Sequence, residues 1–378
     1  MLSRYLTSFA TALSAAAVLL TASASISGQA PSAAAKAPAA QTSAPKAAPA
    51  TKSTFVGKRT PWGDPDISGN FTTKDEANTP LERPDEFAGK KIEDISAKEL
   101  NEIRAQRQQT AVESAPFITG SRTDGIAIGV PIHWLDHLDA ENHRPWLVVD
   151  PPDGKIPPLT ADGKKRADKR AADLVTAPTA DSYLDRTSAD RCIAWSIGPA
   201  RDMPSVYGMS QQILQTKDYV AIRYEMVHET RIIPIAGRGA ARPHNTETLR
   251  SYYGDSVGHW EGDTFVVEAT NYKDAVGGPW NQLPFRGATA KGLKTIDRFR
   301  RTGPRTVEHS ATFEDPATWS RPWTFSIPWT EDDTQIIHEY ACHEGNYGLR
   351  NLLAGAREDQ KKGIVPSNGP AVPPEQQE

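Results

Sequence analysis

From about residue 209 onward the chain alternates apolar and polar residues in short runs. The runs are QQILQT, YVAIRYEM, RIIPIA, VGHW, TFVVEATN, TIDRFRR, RTVEHSATFE, WTFSIPW and IIHEYAC, with KD, GRG, EGD, TGP and EDD as turns between them. A period of two places successive side chains on opposite faces of a strand. Trp323, Phe325, Ile327 and Trp329 therefore share one face, with Thr324 and Ser326 opposite. Val307, His309, Ala311 and Phe313 line up in the same way, as do Val220, Ile222, Tyr224 and Met226. The last run sets Ile336, His338, Tyr340 and Cys342 on one side. Short strands at this spacing predict an antiparallel meander. Roughly eight hairpin-connected strands predict a closed or nearly closed barrel, because closure removes exposed edges.

The first half has a different pattern. ISAKELNEIRAQR predicts a helix with Ser96 as N-cap and Glu99 completing a capping box, and Thr160 caps a mostly polar helix over ADGKKRADKRAADLV. RPWLVVD reads as a short strand, and NYGLRNLLAGARED as a helix after the last strand. The expected fold is mainly β with peripheral helices. A loop-and-helix wrap over 55–205 packs on an antiparallel, lipocalin-like barrel region over 206–362. Residues 1–24 read as a signal peptide, with Arg4, an apolar run over 13–20 and the small-x-small site Ala22-Ser23-Ala24. That run is too short to span a bilayer. Residues 25–54, rich in Ala, Pro, Ser and Lys, and the polar tail 363–378 have too little apolar surface to offset the entropy of ordering them. The expected location is periplasmic or secreted.

The formal net charge of −4 is spread along the chain, with no basic stripe for a nucleic acid. The expected partner is a small-molecule ligand or substrate, with no nucleic acid and no membrane span. Only Cys192 and Cys342 are present. In an oxidising compartment they pair most simply with each other, and a free catalytic thiol is the alternative.

PWGDPDISGNF, VVDPPDGKIPPLT, DRCI, YEMVHETRIIPI, GHWEGDTFVVEATNY, EDPATWSRPWT and EYACHEGNYGLRN, in this order, resemble a family of secreted bacterial proteins. The resemblance covers nearly the whole chain after the spacer. It implies one integrated architecture and lends no catalytic residues. The barrel half is similar to lipocalin-type folds in strand pattern, by analogy alone.

Candidate chemistry concentrates beside turns. YEMVHETR places Glu225, His228 and Arg231 around one hairpin, where a carboxylate or imidazole base and an oxyanion-binding guanidinium can meet. The blander reading is an Arg–Glu pair closing the hairpin, with His228 in solvent. GHWEGDT adds His259, although Glu261 and Asp263 suit an ordinary turn. HEYACHEGNYG is the densest cluster, with Tyr340, His343, Glu344 and Asn346 where the last strand breaks at Gly345. The expectation is that Glu225, His228, Arg231, His259 and His343 gather at one barrel mouth as catalytic groups, with Tyr340, Glu344 and Asn346 binding substrate.

No nucleotide fingerprint, serine elbow or metal signature is present, so no cofactor is expected. A divalent metal is conceivable only if His228, His259 and His343 converge, or at the helical spacing of His133 and His137. The function expected is an exported hydrolase or lyase that uses acid–base chemistry on a small polar, carbohydrate or aromatic substrate. The alternative is a non-catalytic, lipocalin-like carrier of an apolar small molecule.

Overall fold

The computed structural model describes residues 55–76, 79–114, 144–175, 182–185, 188–194, 202–203, 209–239, 242–273, 292–334 and 337–364. The signal and spacer segments, the tail and the His133–His137 pair lie outside the described residues. Among the described residues there are ten strands: β1 Gly69–Thr72, β2 Val148–Asp150, β3 Ser210–Gln215, β4 Tyr219–Tyr224, β5 Thr230–Pro234, β6 Asp255–Glu261, β7 Thr264–Thr270, β8 Lys294–Arg301, β9 Thr306–Glu314 and β10 Trp323–Glu331. Three helices accompany them, α1 Ala97–Ser114, α2 Ala161–Val175 and α3 Tyr347–Lys361.

All ten strands belong to one antiparallel sheet in the order β5-β4-β3-β1-β10-β9-β8-β7-β6, with β2 on the flank of β10. The sheet curls until its two ends meet. Beyond β5, Ala236 N–H donates to Gly258 O on β6 at 2.7 Å, and Ile235 bridges the same residue. Gly258 permits this approach, because a Cβ there would run into the Phe265 ring. The result is a nearly closed barrel.

Alternation fills the interior. Trp323, Phe325, Ile327 and Trp329 face Phe313, Ala311, His309 and Val307 across the β9–β10 pair. Phe299 of β8 lies between Phe265 and His309 in register. These side chains are fully buried, and burial of each large apolar one contributes roughly 1.5–3 kcal/mol. Pro328 sits inside β10, although proline cannot donate to a ladder. Its side of the strand faces the gap between β2, which reaches Ser326 through Leu147 O, and β1, which starts at Thr330, so no partner is lost.

The helices start where their caps indicate. Ser96 Oγ accepts from Glu99 N at 3.2 Å and Thr160 Oγ1 from Gly163 N at 3.0 Å. Among the described residues no helix is long and apolar enough to cross a membrane.

Two expectations differ from this architecture. The first half supplies β1 and β2 to the sheet. The expected final strand is not formed, since residues 337–342 run without regular structure. The reason is competition for an edge. β10 pairs with β9 on one side and with β1 and β2 on the other, so it offers nothing to the chain that follows.

Candidate functional site

Released from the sheet, residues 337–346 cross the barrel exterior and are pinned by a disulfide. Cys192 and Cys342 are bonded, with Cα atoms 5.7 Å apart. Asn346 then caps α3. Its Oδ1 accepts from Leu349 N at 3.4 Å, while its Nδ2 lies 3.3 Å from Cys192 Sγ. The two segments bound an open groove of about 490 Å³. Asp190 forms part of one wall, Glu339 and Tyr340 the other, and Leu349 and Leu352 give it an apolar side. This volume lies in the range of small-molecule sites. All the formal charge among its lining residues is negative, carried by Asp190 and Glu339.

His228 does not line this groove but is bonded to the backbone of Tyr340, which does. Its Nδ1 is 2.9 Å from the carbonyl oxygen of Tyr340. A carbonyl only accepts, so Nδ1 carries the hydrogen and Nε2 holds the basic lone pair. The β4–β5 hairpin presents the imidazole in an unusual way. Met226 and Val227 are turned inward and buried, and His228 is turned out to solvent. That reversal within three residues forces Val227 and His228 into the left-handed region, at φ 57° and 44°. Each such residue costs on the order of 1–2 kcal/mol, and burial of the two apolar neighbours offsets it. Cys192, at φ 54°, is strained in the same way. The fourth described non-glycine residue with positive φ is Asn271, a residue type tolerant of this conformation.

The other residues expected in the site are dispersed. His343 and Glu344 lie exposed on the turn ahead of α3, outside the groove lining. Glu225 is half-buried and receives His228 N–H through its carbonyl at 3.0 Å. His259 faces outward from β6, bonded to Glu261 Oε1 at 3.1 Å. Arg231 does not stand at the rim. It shares the inward face of β5 with Ile233, so alternation carries it into the barrel, where its Nη2 meets Asp297 Oδ2 at 3.0 Å and Ser256 Oγ at 3.1 Å. The structure thus joins His228 to Tyr340 and its groove, and separates Arg231 and His259 from them. No described metal cluster contains His228, His259 or His343.

The barrel interior holds a second polar group. Asp297 Oδ1 is 2.9 Å from His309 Nε2, and His309 Nδ1 is 3.6 Å from Asp202 Oδ2. Arg231, Asp297, His309 and Asp202 are all buried. Burial alone would raise the Asp297 carboxyl, but the Arg231 charge and the His309 hydrogen bond outweigh it and hold it below the usual carboxylate range. Burial likewise works against Arg231 charging, and the opposing charge of Asp297 more than compensates. Sequence reasoning placed His309 among apolar residues and passed over Asp297, the inward-facing acid of TIDRFRR. A carboxylate and an imidazole on the apolar faces of adjacent strands were the available signal. Asp202, outside any alternating run of the sequence, gave none.

Comparison with known families, curated proteins and solved structures returns no match.

Proposed function

We propose that the protein is an exported acid–base enzyme of hydrolase or lyase type that works in the groove beside the Cys192–Cys342 bridge. The observation that carries this reading is the state of His228. Its Nδ1–H is committed to the main-chain carbonyl of Tyr340, a residue that lines a ligand-sized groove, its Nε2 is left as a proton acceptor, and a strained hairpin holds the ring. A histidine oriented through one nitrogen and basic at the other is the usual form of a general base. Glu339 and Asp190 provide carboxyl groups across the groove for the complementary acid role, and the Tyr340 ring with Leu349 and Leu352 offers a surface for a sugar or aromatic face. An acidic lining repels anions, which favours neutral polyhydroxylated or cationic substrates. The disulfide supports export to an oxidising compartment.

The carrier reading requires space along the barrel axis. There, among the described residues, His309 stacks on Phe299 at 4.4 Å between ring centroids, and Trp329 lies 5.3 Å from His309 and 5.4 Å from Phe299. Packing of this kind favours the groove over the barrel interior as the place for a ligand.

The test is a panel of chromogenic neutral glycosides, amino-sugar glycosides and esters, assayed with the wild-type chain and with His228→Ala. The reading requires turnover of at least one class and a loss of about 10²–10⁴-fold in kcat/KM in the variant. Turnover that survives the substitution would remove His228 from the mechanism.

A further inference from the structure

We propose that the barrel core binds a divalent first-row transition ion through His309 Nδ1 and the Asp202 carboxylate, with Asp297 as the carboxylate that orients the imidazole. The site is independent of the surface groove. Asp297 Oδ2 accepts from Arg231 Nη2 at 3.0 Å and its Oδ1 accepts from His309 Nε2 at 2.9 Å, so Nε2 carries a hydrogen. Nδ1 then holds the lone pair. It is fully buried, has no hydrogen-bond partner among the described residues, and points at Asp202 Oδ2.

The distance between those two atoms decides the argument. At 3.6 Å they are too far apart for a good hydrogen bond. Two donors at about 2.1 Å from one ion, at a tetrahedral angle, stand roughly 3.4 Å apart. The spacing therefore suits a shared cation better than a shared proton. The donor groups of Asp202, Asp297 and His309 all lie within 4.8 Å of one another. Arg231 holds Asp297, Asp297 holds His309, and His309 presents Nδ1, which is the carboxylate–histidine–metal arrangement that fixes an imidazole's tautomer and raises its basicity.

The rings around the site constrain the imidazole further. Phe299 stacks on it with 7° between planes, and Phe325 and Trp329 meet it edge-on. An imidazole nitrogen with a carboxylate oxygen suits Zn²⁺, Mn²⁺ or Fe²⁺ and disfavours Mg²⁺ and Ca²⁺, which prefer oxygen alone. Two protein donors leave further positions for solvent or a bound group. The ion would clamp the segment carrying Asp202 onto β8 and β9.

The experiment measures metal content of the purified mature chain by mass spectrometry. It then measures melting of the chelator-stripped chain with and without added Zn²⁺, Mn²⁺ or Mg²⁺. The expected result is roughly one equivalent of a transition ion per chain and a melting rise of about 5 °C with Zn²⁺ or Mn²⁺, but not with Mg²⁺. His309→Gln and Asp202→Asn should each abolish both the content and the rise. If either variant fails to fold, the wild-type chain loaded with Co²⁺ decides, since ligation by imidazole and carboxylate gives visible d–d absorption. A wild-type chain that holds no ion, shows no shift and stays colourless with Co²⁺ overturns the proposal. Metal content unchanged in a folded His309→Gln variant overturns it as well.

Discussion

The barrel core and the strap formed by residues 337–364 hold their polar groups in opposite ways. In the core, Arg231, Asp297 and His309 sit on three different strands, each locked by ladder pairing and ring packing, and none meets solvent. In the strap no residue pairs with the sheet, and no residue of α3 is buried. Its fastenings include the disulfide, the hydrogen bond from His228 and the contact of Asn346 Nδ2 with Cys192 Sγ. The core is therefore expensive to disturb, and the strap is cheap to disturb globally but sensitive locally. Sites that bind and release small molecules belong to the second kind of region, where local stability is low and the scaffold beneath is rigid.

The largest effect expected is in the core. Asp297→Asn removes the counter-charge of a buried arginine and should cost about 3–5 kcal/mol, read by denaturant unfolding. A loss below about 1 kcal/mol would mean that water reaches the pair, and would weaken the contrast with the strap. Removing the bridge with Cys192→Ala and Cys342→Ala should cost about 2–5 kcal/mol, since the cysteines are 150 residues apart in sequence. Hydrogen exchange should then rise across 337–364 while β8, β9 and β10 stay protected. Uniform loosening of the barrel would show instead that the strap is part of the core.

How much of this was legible in the sequence follows the same division. The strands β3 to β10 announced themselves, because a two-residue period with turn dipeptides has one reading when one face is buried. β2 was read as a strand in RPWLVVD, but β1 and β2 are four and three residues long, too short to say where they pair, and they occupy the edge of β10 that the run over 336–342 would have needed. Edge competition is a tertiary effect, and no local pattern reports it. Arg231 was read as a rim residue because it follows a turn, although its two-residue spacing from Ile233 pointed inward. The strained hairpin did leave a trace, since Glu225–Glu229 lacks the glycine, asparagine or proline that a relaxed turn of that shape would use. The cysteine pairing followed from simple counting. The groove could not be read, because it depends on where an unpaired strap is pinned.

A smaller effect concerns the seam between the first half and the barrel. Glu76 is buried against Thr79 and the backbone of Arg144, and burial pushes its carboxyl up to about 8 from a reference of 4.5. Between these values the unfolded chain releases the proton and the folded chain keeps it. Stability therefore falls as pH rises from 4.5 to 8 and levels off above that. Asp332 works at the other end. Burial alone would raise its carboxyl, but hydrogen bonds from Thr334 and Lys74 bring it down to about 2, so its contribution is lost as pH falls from about 4 toward 2. Glu76→Gln should flatten the upper decline, a gain on the order of 2–3 kcal/mol at pH 8.5 in chemical denaturation. A slope unchanged in the variant would assign the decline to another group.

The smallest stability effect belongs to His228, and it tests the central claim most directly. Glycine accepts the left-handed conformation without cost. His228→Gly should therefore melt at or slightly above the wild-type temperature, a gain of up to about 1 kcal/mol, while kcat/KM on a responsive substrate falls at least about 100-fold. Melting and turnover measured on the same preparation give both numbers at once. A variant that is more stable and inactive identifies His228 as a residue held in strain for chemistry. A variant that melts several degrees lower with its activity intact would make the hairpin a structural device, and the account of the groove would be contradicted.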